Sequence, residues 1–378
     1  MTRLGVIGYG RRIKAVLSAV GRVDPGAKVV AIADPVARAP EGADRYDDAA
    51  TMLDSADLDG VLIGTRCDLH TPMALRVLAT GLPLFLEKPV AIDRAQYDTL
   101  AAAAEGATSP VVVSFPLRLS SLARTVRGLL DEGAIGQVAH VQAVNNVPAY
   151  AVASYFHGWM RDTALTGGLW LQKATHDFDY LTYLIGRRPL EVVAMESRTV
   201  FGGTMPAGLR CSDCDLRHTC PEGPDGREAT ADWRCVYGED VGNHDSGSAL
   251  VRYESGLHVS YSQNFYSRGR AAARGATLIG HKGTISFDWY TGRVTLVDHL
   301  SGTVTEHGGR AETGDEHFGG DLELAREFVA ACHGAPDSRS PLSAGLLSAR
   351  LCLAAARSPP PTTTGAWRSS SRAPTPRS

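Results

Sequence analysis

The chain of 378 residues has no apolar run near the ~20 residues that a membrane-spanning helix needs, so no span is expected. It has no excess of one charge sign. The 38 Lys and Arg residues stand against 41 Asp and Glu, for a formal net charge of −3. That balance leaves no basic footprint for nucleic acid and no electrostatic draw to an anionic membrane. No secretory leader is legible, because Met1-Thr2-Arg3-Leu4 runs straight into a strand pattern, and a cytoplasmic location is expected. The seven cysteines show no regular disulfide framework and read as thiols or metal ligands of a reducing compartment. What is present is ordinary for a globular enzyme: 44% hydrophobic and 21% charged residues. The length suggests two domains, each able to bury a core.

Short apolar runs alternate with helical stretches through the first third. Leu4–Gly8, Val29–Asp34, Val61–Thr65, Pro83–Glu87 and Val111–Phe115 read as buried strands with helices between them. This alternation predicts βαβ units, hence an α/β domain with a doubly wound parallel sheet over residues 1–118. The pattern then changes. Ser121–Glu132 and Gly168–Ile185 read as helices, with Gly186 a C-cap. Val138–Val147, Leu190–Val200, Gly247–Tyr253, Leu257–Tyr266, Ala276–Gly280, Thr284–Asp288 and Arg293–Asp298 read as strands. Residues 119–357 are therefore expected to form an α+β domain on a large, mostly antiparallel open sheet. Asp321–His333 and Ser343–Ala356 would close it as helices. The Ser/Pro/Arg-rich segment 358–378 cannot bury a core and reads as disordered.

Gly5-Val6-Ile7-Gly8-Tyr9-Gly10 follows a strand and opens a helix. Gly8 permits the tight turn, and Gly10 lets backbone approach a pyrophosphate at the helix N-terminus. Ile13 stands where a G-x-G-x-x-G motif has its third glycine, so helix–strand packing must differ. The turn nominates Gly8, Tyr9, Gly10, Arg11, Arg12 and Ile13 for a dinucleotide; an ordinary glycine-rich turn is the alternative. Asp34 ends the second strand, where an acid can bind ribose hydroxyls and repel the extra phosphate of NADP, which favours NAD. Arg38 and the Arg11-Arg12 pair could accommodate that phosphate, so NADP stays open.

Two further segments bear chemistry. Glu87-Lys88-Pro89 follows the fourth strand, and ligands gather at the carboxyl ends of parallel strands. A partly desolvated Lys88 there can favour an alkoxide; a surface Glu–Lys pair is the alternative. On the helix after Gly167-Gly168, spacing of three and four brings Gln172, His176 and Asp179 to one face. Histidine exchanges a proton near neutrality, and Asp179 could orient it. Lys173 adjoins them and is a further catalytic candidate, placed to reach the substrate or the cofactor. Upstream, Tyr155, His157 and Trp159 mix rings and polar groups as a sugar pocket does, or as a packed loop does.

These residues resemble the glucose-fructose oxidoreductase, inositol dehydrogenase and MocA family. The likeness rests on Gly8-Tyr9-Gly10, Asp34, Gly64-Thr65 with His70, Glu87-Lys88-Pro89, and Gly167-Gly168 with His176 and Asp179. It implies NAD(P)-dependent oxidation or reduction of a sugar or cyclitol, with Lys88 the catalytic lysine and His176 the general acid/base. It places Thr65, His70 and Glu87 along the nicotinamide half of the cofactor. It implies a homo-oligomer, dimer or tetramer, through the exposed face of the second sheet. Gln172 departs from the family's usual Asp, and a subgroup carries a lysine where Lys173 stands. Two other functions stay open: an NAD-assisted glycoside hydrolase, and a cofactor-sensing regulator without turnover.

Cys211-x2-Cys214-x5-Cys220 and Cys235 crowd an insert, residues 208–245, rich in Gly, Asp and Pro. Four thiols can close a tetrahedral structural zinc site. An iron–sulfur cluster, a disulfide pair or no ligation remain open, because the second pair is not C-x-x-C. Cys67, Cys332 and Cys352 read as buried thiols.

Overall fold

The computed structural model describes residues 1–148, 155–223, 233–308 and 316–357. The chain begins β1 (Arg3–Ile7), α1 (Arg11–Val23), β2 (Lys28–Ala33), β3 (Asp44–Tyr46), α2 (Ala49–Ser55), β4 (Gly60–Ile63), α3 (His70–Leu78), β5 (Leu84–Leu86), α4 (Arg94–Glu105) and β6 (Val111–Val113). The strands form one parallel sheet in the order β3-β2-β1-β4-β5-β6. β1, β4, β5 and β6 are apolar along nearly their whole length because helices cover both faces. Asp48 and Asp93 accept backbone N–H bonds at the starts of α2 and α4, which fixes where those helices begin. β3 is short and polar, and its sequence gives no strand signal.

The second half continues α5 (Pro116–Leu119), α6 (Ser121–Asp131), β7 (Val138–Pro148), α7 (Thr163–Thr166), a π-helical turn (Trp170–Ala174), α8 (Thr175–Ile185), β8 (Pro189–Ser197), β9 (Ser246–Tyr253), β10 (His258–Ser267), β11 (Ala273–Gly280), β12 (Gly283–Asp288), β13 (Arg293–Asp298), β14 (Val304–His307), α9 (Gly320–Cys332) and α10 (Leu342–Ala356). Its eight strands lie in the order β14-β13-β12-β11-β7-β10-β9-β8, and every pair is antiparallel except β10 with β7. Tyr261 and Val259 alternate with half-exposed or exposed residues on β10, so one face packs on α8 and the other stays open.

Two features position the site. The expected single helix over residues 168–185 is broken into the π turn and α8, and Gly186 closes it in the left-handed region at φ 66°. The two last helices return to the first sheet. Phe328 of α9 meets Phe85 of β5 edge-on at 5.8 Å, and Ser340, just before α10, accepts a bond from Val113 N at 2.7 Å. One continuous core thus links both sheets. The segment 358–378 and part of the insert, residues 224–232, lie outside the described residues.

Candidate active site

The glycine turn is tight at Gly8 and open at Gly10. Gly8 has φ +83°, and a Cβ there would lie 2.6 Å from Thr65 N, so only glycine fits. Gly10 begins α1 without a side-chain cap, and a Cβ there would meet nothing nearer than Gly64 O at 3.8 Å. The start of α1 thus has no side-chain cap and room beside Gly10, which is compatible with an anion at a helix N-terminus. Ile13 is buried under this turn. A Cβ on Gly64 would fall 1.9 Å from Ile13 Cγ1. The glycine missing from α1 has its counterpart after β4, where the lost side chain makes room for isoleucine.

Asp34 follows β2 and accepts from Tyr9 N at 2.8 Å on Oδ2, and from Val36 N and Ala37 N at 2.8 and 2.7 Å on Oδ1. Burial opposes its charge, yet the Ala37, Val36 and Tyr9 amides hold its carboxyl below the usual range. Oδ2 keeps a lone pair for a ribose hydroxyl. Arg11 is exposed. Arg12 is not available for a phosphate in the way its place in the motif suggested: Nε binds Glu87 at 3.0 Å, and Nη2 binds Asp321 at 2.6 Å and Ser114 Oγ at 3.2 Å. Glu87 is thereby held beneath Lys88 by Arg12.

Lys88 ends the loop after β5, and the Lys88–Pro89 peptide is cis. Its Nζ donates to Gln172 O at 2.8 Å. Burial lowers the lysine's pKa against the pull of Glu87. His70 supports this loop: Nδ1 lies 2.8 Å from Pro89 O and Nε2 3.1 Å from Thr65 O. Burial lowers its pKa, and a neutral imidazole donates from one nitrogen only, so His70 bonds one of these two carbonyls; Thr65 Oγ1 donates to Arg66 O at 3.1 Å.

The π turn carries the opposite wall. A π-helical turn adds a residue to the helical cycle and is frequent at functional sites. Here it breaks the alignment expected of Gln172, His176 and Asp179. The Gln172 side chain is buried and donates to Met160 O at 3.0 Å; its backbone oxygen, not its amide group, meets Lys88. Asp179 is committed to Arg118 by two bonds, of 2.6 and 2.9 Å, so it does not orient the imidazole. His176 is half-buried beside Phe115, with ring centroids 6.0 Å apart. Its Nδ1 is buried with no partner. Burial, then Lys88 and Arg274, push its pKa well below the ordinary value. Lys173 Nζ lies 5.9 Å from the Tyr155 ring centre, and burial, with Arg274 next, pushes its pKa down to about 7.

The aromatic segment divides. Tyr155 stays at the site, with burial raising its hydroxyl to about 12. His157 turns to the insert instead: it stacks on Trp233 at 4.5 Å, and its Nδ1 lies 2.7 Å from Arg234 O. Trp159 is 43% exposed. Two residues no motif marked also belong here. Arg274, on β11, is buried; its Nε binds Asp177 Oδ1 at 2.8 Å, while Asn145 and Tyr261 bind Asp177 Oδ2 at 2.7 and 3.0 Å. His317 sits before α9 in the left-handed region at φ 50°, binds Asp321 at 2.8 Å, and acts electrostatically on His176. Sequence spacing gave neither away: Arg274 pairs with Asp177, 97 residues distant, and His317 reaches the site only because α9 returns to the first sheet.

The four insert cysteines lie within electrostatic reach of one another, and burial raises the Cys211 thiol to about 11. Cys214 N donates to Cys211 O at 3.4 Å, closing a tight turn between the first two. Among the described residues, no three His, Cys, Asp or Glu side chains are arranged to hold a metal ion. All seven thiols are free.

Residues 2–115 match the oxidoreductase family with an NAD-binding Rossmann fold, and residues 123–286 match the GFO/IDH/MocA C-terminal domain. The chain belongs to the GFO/IDH/MocA oxidoreductase family. Inositol 2-dehydrogenase of Rhizobium meliloti (strain 1021) is 30% identical over 198 residues, 51% of this chain and 57% of that protein. The first curated relatives are matched over 57% to 63% of their own length. Among solved structures, levoglucosan dehydrogenase in complex with NADH and levoglucosan aligns with a TM-score of 0.73 at 18% identity, over 95% of this chain and 98% of that one. Scyllo-inositol dehydrogenase of Lactobacillus casei, with bound NAD(H) and scyllo-inositol, aligns with a TM-score of 0.68 at 20% identity, over 94% and 95%. These two share the fold described above. Among the described residues, no helix is long and apolar enough to cross a membrane.

Proposed function

We propose that this chain is an NAD-dependent dehydrogenase that oxidises a secondary alcohol of a sugar or cyclitol, or reduces the matching ketone. The observation that carries the reading is the meeting of Lys88 with the π turn at 2.8 Å, which brings a lysine of the first sheet beside the segment bearing Lys173 and His176. The names of the family relatives, inositol and levoglucosan dehydrogenases, support the substrate class. The residues fit a dinucleotide: an uncapped helix N-terminus, glycines where a Cβ would intrude or close the opening, and an acid after β2. A bound nicotinamide would exchange the hydride.

The chain's own groups would do the rest. His176, kept neutral by burial and neighbouring cations, takes the hydroxyl proton at Nε2, since its Nδ1 is sealed off. Lys88 lends its charge to the oxygen that becomes an alkoxide. His70 and Glu87 hold the Lys88 loop in place. Lys173 and Tyr155 line the same cleft. Asp34 favours NAD over NADP, and Arg12, occupied by Glu87 and Asp321, offers no counter-charge to the second phosphate.

Two further readings belong here. Copies of the chain associate through the open face of the eight-stranded sheet, where Val193, Met195 and Leu250 are 54%, 58% and 59% exposed. The structural zinc expected on Cys211, Cys214, Cys220 and Cys235 does not fit these thiols as they stand, since no three of them are arranged to hold a metal ion; metal-free protein on elemental analysis agrees with that, and one metal ion per chain contradicts it. The main test is a screen of sugars and cyclitols with NAD and NADP, read as reduced-nicotinamide absorbance. Net reduction with at least one of them supports the reading. Redox-neutral bond cleavage, or binding without turnover, overturns it.

A further inference from the structure

We infer that His317 is a cofactor-binding residue: Asp321 holds its imidazole at Nδ1, and Nε2 accepts a hydrogen bond from the nicotinamide riboside of the dinucleotide. This deepens the dehydrogenase reading and rests on it for the presence of the dinucleotide.

A ladder of hydrogen bonds fixes where the pair lies. Asp321, in the first turn of α9, accepts from His317 Nδ1 at 2.8 Å and from Arg12 Nη2 and Nη1 at 2.6 and 3.1 Å. Arg12, in the first turn of α1, reaches on to Glu87 at 3.0 Å and Ser114 Oγ at 3.2 Å, the residues that follow β5 and β6. Gly320 packs so closely on the next segment that a Cβ there would fall 2.0 Å from Pro116 O. Phe115, just before, faces His176 edge-on at 6.0 Å. These contacts place His317 on the carboxyl-end rim of the parallel sheet, the rim that also carries Lys88.

The strand order β3-β2-β1-β4-β5-β6 tells which half of a dinucleotide meets it. With the adenosine ribose at Asp34 after β2 and the pyrophosphate at Gly10 after β1, the nicotinamide half would run on over β4 and β5 toward β6. His317 stands on that side, and its side chain is 38% exposed.

The carboxylate decides the chemistry of the ring. Burial opposes the charge of Asp321, yet its bonds to His317 and Arg12 lower its pKa to about 2, so it has no proton to give. Nδ1 is therefore the donor, and Nε2 of the neutral ring is an acceptor. Among the described residues, no protein group bonds that Nε2. The backbone is bent to hold this arrangement. His317 and Phe318 both lie in the left-handed region, at φ 50° and 58°, which residues with side chains rarely adopt. Two such residues in succession carry strain of the kind found at ligand clamps. The Phe318 ring, 5.5 Å from that of Trp289, anchors the bend. Two groups of the nicotinamide riboside can donate to Nε2: a ribose hydroxyl and the carboxamide nitrogen.

The test is isothermal titration of the full chain with NADH, ADP-ribose and ADP, before and after His317→Gly, which deletes the ring and suits the left-handed backbone. NADH should bind the variant about fivefold or more weakly, the scale of one hydrogen bond, while ADP, which lacks the nicotinamide riboside, binds as before. ADP-ribose weakened along with NADH supports the ribose as donor; ADP-ribose unchanged supports the carboxamide. Histidine nitrogen NMR in mildly alkaline buffer gives a second readout. The signals lost in His317→Gly should belong to an Nδ1-protonated ring whose Nε2 resonance moves with NADH and not with ADP. The inference is overturned if NADH binds the native chain and the variant alike, if ADP is weakened as much as NADH, or if the ring is protonated at Nε2 instead. A native chain that binds neither NADH nor ADP sinks the dehydrogenase reading as well.

Discussion

Lys88 Nζ and the carbonyl oxygen of Gln172 are 2.8 Å apart, so the loop after β5 and the π turn before α8 are joined by one hydrogen bond. That bond uses a backbone oxygen which a π turn can leave free, and it aims the ammonium toward the segment of His176. Lys88→Met removes both the bond and the charge. Turnover is expected to fall by about a hundredfold or more, the scale of a lost electrostatic or acid–base group. NADH affinity, read by nucleotide fluorescence, should change little. Near-normal turnover in this variant contradicts the role given to Lys88.

His176→Ala should cost a similar factor, and the pH profile tells more. Burial and the surrounding cations lower the imidazole's pKa, so the neutral, proton-accepting form persists below the ordinary histidine range near ~6.5. The acid limb of kcat/KM for alcohol oxidation is therefore expected well below that value. A limb at or above it shows that some other group takes the proton.

Ile13 and Gly64 offer a test of the turn itself. Gly64→Ala would press a methyl group onto Ile13 and should destabilise the chain by about 1–3 kcal/mol, the usual cost of overpacking. Ile13→Ala alone opens a cavity. Combined, the two changes should be far less damaging than their sum, measured by thermal unfolding in a double-mutant cycle. Strict additivity would show that the two residues do not share this space.

Much of this was legible before any coordinates. Periodicity announces the parallel sheet, and Gly8, Gly10, Asp34 and Lys88 all follow the carboxyl ends of its strands, as their order in the sequence implies. The misses share a physical origin. Gly64 replaces the third glycine from 51 positions beyond Ile13, a compensation that only packing reveals. Arg12 is claimed by Asp321, 309 residues away, and Arg274 by Asp177, 97 residues away. Local spacing carries no trace of such pairs. The helical repeat misled at Gln172 and Asp179 because the π turn shifts the face by a residue, and Arg118 then captures the aspartate. His157 stacks on Trp233 of the insert, a pairing 76 positions long that local spacing does not show.

Asp34 should govern the choice of dinucleotide. Asp34→Ser removes the charge that repels the second phosphate, and the ratio of kcat/KM for NAD to that for NADP should fall by about tenfold or more, equivalent to about 1.4 kcal/mol. Loss of activity with both cofactors would indicate instead that the bonds from Tyr9, Val36 and Ala37 make Asp34 a brace for the turn.

The central claim concerns where the dinucleotide lies, and a crystal structure of the chain grown with NADH tests it most directly. The pyrophosphate should rest on the N-terminus of α1 at Gly10, with the nicotinamide ring between Lys88 and His176. A dinucleotide bound elsewhere, or a ring turned away from both side chains, would contradict the account.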